Sequence, residues 1–103
     1  MIRHIVALRF RVGTTDATKA ALYADLAALG GHLDGLMEFR RFANVSVELP
    51  LVRGFNDMFW CDFRDIAARD AYLVDSAHQA VGGRIVAELE GGADGVFVCD
   101  IAL

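Results

Sequence analysis

Two side chains of complementary chemistry, Tyr72 and His78, flank the segment Val74-Asp75-Ser76-Ala77. An imidazole is the natural general base for a proton next to a carbonyl, and a phenol can hydrogen-bond the oxygen on which negative charge then develops. Together they suit an intramolecular aldol closure, an enolisation or a related isomerisation without cofactor. Tyr72 and His78 would lie on different faces of one unbroken helix. A break near Asp75-Ser76 is therefore what brings both toward one pocket. His4 is a third candidate. It shares a strand face with Val6, Leu8 and Phe10, the side expected to meet the helices, from which it could orient a substrate carbonyl or His78. A core histidine bonded to a backbone carbonyl is the plain structural alternative for His4, as a packing residue is for Tyr72 and a first-turn surface residue for His78.

The elements that must position these groups are legible as periodicities. Ile2 to Arg11 alternates as a strand. Gly13-Thr-Thr-Asp16 then offers helix caps. A helix with Ala21, Leu22, Leu26 and Leu29 on one stripe is closed by Gly30-Gly31. Met37 to Val47 reads as the second strand and Gly54 to Phe63 as the third, joined through the chain's only proline, Pro50. Arg64 to Leu73 is a short helix. Ser76-Ala-His-Gln79 has the form of a capping box that starts another, with His78, Val81, Ile85 and Leu89 along one stripe and an end at Gly91-Gly92. Gly82 and Gly83 inside it either leave space over a pocket or permit close helix–sheet packing. Gly95 to Leu103 is the fourth strand. The order β-α-β-β-α-α-β predicts an α+β, ferredoxin-like fold with a four-stranded antiparallel sheet and a second helix broken in two.

A chain of 103 residues allows one domain, spanning 1–103, with one modest core. Hydrophobic residues make up 55% of it, yet no run is long enough to span a bilayer. Apolar residues fall on both strand faces while helices cover one, which leaves Ile5, Ala7, Met58 and Trp60 on the open side. A homodimer in which two sheets pack into an α+β barrel is the expected cover. The net charge of -4 with interspersed signs provides no basic stripe for nucleic acid. Met1-Ile-Arg-His-Ile-Val6 enters a strand pattern at once, without a signal-peptide core, so a cytoplasmic protein is expected. Cys61 and Cys99 lack metal or redox spacing and read as small apolar fillers. Asp65, Arg69 and Asp70, with Arg64 beside them, read as a solvated helix face, and Arg40-Arg41 as a charged strand edge. No Gly-rich phosphate loop, nucleophile elbow or His-x-x-x-His metal pair is present. No cofactor and no metal are expected.

Ile2-Arg3-His4-Ile5-Val6, the strand ending in Phe63, and Tyr72 followed by His78 resemble the stress-responsive A/B barrel family, Dabb, over nearly the whole chain. The resemblance implies a dimeric α+β barrel. Through the family's cofactor-free plant polyketide cyclase, whose Tyr and His flank the helix break in the same way, it also implies a cyclase-like role for Tyr72 and His78. The chain departs from the family's Tyr-x-x-His-Pro-x-His pattern by carrying Asp75-Ser76 for His-Pro, and has Asn56-Asp57 where a histidine usually opens the third strand. Two function classes follow. One is a cofactor-independent cyclase or isomerase with a small apolar, phenolic or carbonyl ligand. The other is a non-catalytic stress-associated or ligand-binding barrel. Cofactor-free oxygenation is a further option by analogy of architecture.

Overall fold

The computed structural model describes residues 1–103. Strand β1, Ile2–Leu8, alternates buried and half-buried residues along its length, so one face is sealed and the other partly open. Helix α1, Asp16–Ala28, starts where the Thr15 side chain accepts the Thr18 N–H, satisfying one of the free donors of the first turn. It buries Leu22, Tyr23 and Leu26 and tightens into a 3₁₀ turn at Leu29–Gly31.

Strand β2, Leu36–Ala43, is shorter than its alternation predicts. Met37 falls in a bulge between Leu36 and Glu38, and Asn44 ends the strand because its side chain turns onto the backbone. Its Oδ1 accepts the Ser46 N–H, while its Nδ2 donates to the Phe55 carbonyl. Such Asx turns compete directly with sheet pairing, and they leave Val45 and Val47 exposed rather than paired. A helical turn, α2 (Leu49–Val52), carries the proline and leads to β3, Asp57–Phe63.

Asp65 caps α3, Ile66–Val74, by accepting the Ala68 N–H. The next helix, α4, runs Ser76–Val86, and its cap differs from the expected Ser-x-x-Gln box. The Asp75 carboxylate accepts the His78 N–H at 2.9 Å, while Ser76 is already the first helical residue. An ionised carboxylate is the stronger cap because it also complements the helix dipole. The helix ends at Val86, before the predicted glycines; Gly91 and Gly92 instead take positive φ in the turn into β4, Val96–Ala102.

The strands form one antiparallel sheet in the order β2-β3-β1-β4, the ferredoxin-like arrangement the element order predicts. Ile2, Val6, Leu8, Phe59, Cys61 and Phe63 point to the helices and form the core with Leu26, Tyr72, Val81 and Ile85. On the opposite face Ile5 pairs with Trp60 and Ala7 with Met58. There Phe97 and Ile101 of the edge strand β4 are 60% and 41% exposed. No helix is long and apolar enough to cross a membrane.

Candidate functional site

The break between α3 and α4 is a single extended residue, Asp75, with ψ 129°. It swings the start of α4 over the end of α3, and the Tyr72 and His78 rings meet with centroids 3.8 Å apart at 30°. His4 rises from the sheet, its ring edge-on to Tyr72 at 5.8 Å. All three line one cavity of about 290 Å³ between α3, α4 and the β1–β4 edge of the sheet. Ten of its fourteen lining residues are hydrophobic, among them Leu8, Leu26, Phe59, Ile85 and Val96, so the polar groups stand against a largely apolar wall, which strengthens their interactions relative to bulk water.

His4 is 6% exposed and is held from one side. Its Nδ1 lies 2.7 Å from Asp100 Oδ1, and the other carboxylate oxygen of Asp100 accepts from Arg69 Nη1, also at 2.7 Å. Burial alone would raise the Asp100 pKa, but the bonds from Arg69 and His4 outweigh it and hold the carboxyl below the usual range. An ionised carboxylate only accepts, so Nδ1 of His4 carries the proton and Nε2 is left without a protein partner. The sheet register sets this up by placing His4 directly beside Asp100.

His78 is half-buried, and its Nδ1 is enclosed without a hydrogen-bond partner. Burial lowers its pKa, the neighbouring His4 lowers it further, and the Tyr72 backbone and Asp75 oppose the shift. A neutral imidazole results, which is the form a general base requires. Its position is fixed from below, since the Asp75 carboxylate that caps α4 also receives His32 Nε2 at 3.0 Å.

Tyr72 is 1% exposed. The sequence reading has its hydroxyl facing a substrate oxygen. In the structure that hydroxyl accepts from the Cys61 thiol at 3.9 Å. Burial drives the phenol pKa upward and pushes the Cys61 thiol up to about 12, so both stay protonated. What Tyr72 presents to His78 is its ring face. No group of three His, Cys, Asp or Glu residues is arranged to hold a metal ion.

Asp100 and Arg69 are the site residues that sequence reasoning missed. Arg69, read as part of a solvated face, is only 24% exposed at its side chain. A signal for Asp100 existed, because it shares the inward phase of β4 with Val96 and Val98, where an acid calls for a partner.

Comparison with known proteins bears on the architecture. A dimeric ferredoxin-like protein of unknown function from Jannaschia sp. CCS1 is 35% identical, with 99% of this chain and 98% of that one covered and a TM-score of 0.87. An Arabidopsis thaliana protein shares the fold at 22% identity, 100% and 95% coverage and a TM-score of 0.87. A hydroxynitrile lyase from Passiflora edulis shares it at 14% identity, 99% and 92% coverage and a TM-score of 0.81. No curated protein matches the chain. The family model of the stress responsive A/B barrel domain matches residues 2–102, and with the strand order and helix break described above the chain belongs to that family.

Proposed function

We propose that the protein is a homodimeric, cofactor-independent enzyme of the cyclase or isomerase type, acting on a small apolar carbonyl compound by removing a proton beside the carbonyl. The observation that carries this reading is the convergence of His4, Tyr72 and His78 on one apolar cavity. His78 is the base. It takes the proton from carbon, the C–H electron pair forms a C=C bond, and the carbonyl π pair moves onto oxygen. His4, steered by Asp100 and Arg69, orients that oxygen. The conjugate acid of His78 then returns the proton to a different atom, or the enolate carbon attacks a second carbonyl within the same substrate, the first C=O re-forms, and the proton on His78 passes to the new alkoxide. Tyr72 walls the base with its ring and keeps water from it. Proton abstraction by a positioned side chain contributes typically 10²–10⁴-fold, so loss of His78 has a measurable consequence.

The dimer reading is supported by the dimeric relative at 35% identity and by the exposed Phe97 and Ile101 on the helix-free face, apolar surface that a second sheet would cover. Light scattering should give twice the chain mass. The chemistry is tested by incubating the protein with 4-hydroxyacetophenone in D₂O and following deuterium entry at the methyl group by NMR. Wild type should accelerate exchange and His78→Ala should not. Binding without exchange in either would leave a ligand-binding barrel and remove the enzymatic reading.

A further inference from the structure

We infer that Gly82 sets how large a substrate the site accepts, by holding open the passage for an apolar substituent one helical turn beyond His78. The inference rests on the proposed carbonyl chemistry and adds to it the shape of the compound: a carbonyl-bearing head near the two histidines and a bulky apolar group farther along.

Glycine is among the poorest helix formers, and its presence inside α4 demands a reason. Backbone conformation does not supply one, because Gly82 has no positive φ. Close packing does not either, since a Cβ at this position would meet nothing within 4 Å. Of the two roles the sequence leaves open, tight helix–sheet contact is thereby excluded. What remains is the cavity, which Gly82 lines. Its neighbour Gly83 is exposed, equally free of contacts and absent from the cavity wall. The pair therefore contains its own control.

The direction of the passage follows from the way α4 lies on β1. His78 at its start is beside Tyr72 and His4, and beyond its end Leu89 bridges to Phe10, so helix and strand run side by side. From His78 to Gly82 the helix advances about 6 Å, and from His4 to Leu8 the strand advances about 13 Å. The histidines and Asp100 thus occupy one end of the cavity, and Leu8 and Val96, register partners on adjacent strands, the other. Gly82 sits between them. A side chain there would project into the space that the apolar part of a ligand must cross. With a volume near 290 Å³, at the small end of ligand sites of roughly 300–1,000 Å³, the cavity has little room to spare.

The test compares acetylacetone, a 1,3-dicarbonyl head alone, with benzoylacetone, the same head carrying a phenyl ring, by NMR titration of wild type, Gly82→Leu, Gly82→Ala and Gly83→Leu. Gly82→Leu should weaken benzoylacetone about 10-fold or more while changing acetylacetone less than about 2-fold, the scale on which hydrophobic pockets discriminate. Gly82→Ala should fall between wild type and Gly82→Leu, and Gly83→Leu should match wild type for both compounds. All three variants should melt no lower than wild type, since each replaces a helical glycine next to open space. Unchanged benzoylacetone affinity in Gly82→Leu, an equal loss in Gly83→Leu, or a lowered melting point for Gly82→Ala would overturn the assignment of Gly82 alone. Failure of wild type to bind either diketone would instead remove the carbonyl site on which it rests.

Discussion

Two aspartates on opposite faces of the same sheet are each paired with an arginine, and they do different things. On the open face Asp62, 3% exposed, gives both carboxylate oxygens to one guanidinium, Arg3 Nε at 2.9 Å and Nη2 at 3.1 Å. That arginine also lies 4.4 Å over the Trp60 ring, and Phe42 packs on the same ring with centroids 4.2 Å apart. Both oxygens of the acid go to that one guanidinium, so the pair aims no second group. On the helix face Asp100 divides its oxygens between Arg69 and His4. The arginine neutralises the acid and the imidazole borrows its orientation, with one ring nitrogen left for a cavity. A bidentate fork closes a structure, whereas a shared carboxylate aims a second group.

The comparison breaks most sharply at the base. His78→Ala should reduce deuterium exchange by about 10²-fold or more with little change in melting temperature, and an unaltered rate would remove the catalytic face altogether. Asp62→Asn comes next. It removes the charge that Arg3 pairs with at a 3% exposed position and should lower the urea midpoint measurably while exchange per folded molecule stays at wild-type level. Asp100→Asn should show the reverse emphasis, with exchange reduced about 10-fold and a smaller loss of stability than Asp62→Asn; equal behaviour of the two aspartate variants would erase the distinction.

Acid sensitivity sharpens the same contrast. His78 binds its proton less readily in the folded protein than at its ordinary value of 6.5, so the unfolded chain protonates first as the pH falls. Its contribution is complete above about 6.5 and declines below, through the lowered folded value. Asp75 and Asp100, both lowered, add a second loss at more acid pH. Denaturation between pH 7 and 5 should therefore show a slope that His78→Ala flattens and Asp62→Asn retains. The smallest effect belongs to Tyr72→Phe. The hydroxyl has only a thiol at 3.9 Å as partner, so stability should change by less than about 1 kcal/mol. Exchange should also hold near wild type, whereas a fall of about 10²-fold would return the phenol to the role of oxyanion donor.

Much of the fold was readable in the chain because its signals are local. The alternation that begins at Ile2, although β1 ends at Leu8 rather than at the expected Arg11, the Leu22 and Leu26 stripe and the interruption after Tyr72 each follow from the geometry of a few consecutive residues. The misreadings were local too, but polar. Asn44 cut β2 short of Val47, and Asp75 displaced Ser76 as the cap of α4, because a side chain that bonds its own backbone leaves hydropathy unchanged. Of the site, His4, Tyr72 and His78 could be listed from residue type. Alternation along β4 could have put Asp100 on the inward face, but its pairing with His4 and the place of Arg69 depend on strand register and on where a helix surface comes to rest.

The amino-acid order by itself determined the succession of strands and helices, the ferredoxin-like topology and the point at which the second helix breaks, since periodicity and breakers act over a single turn or strand. Only the tertiary structure decided that the Tyr72 hydroxyl turns to Cys61, that Asp100 orients His4, and that Gly82 faces empty space rather than a packed neighbour. Those outcomes arise from groups as far apart in the chain as His4 and Asp100, which the antiparallel pairing of β1 with β4 makes adjacent. No local pattern encodes a distance of that kind.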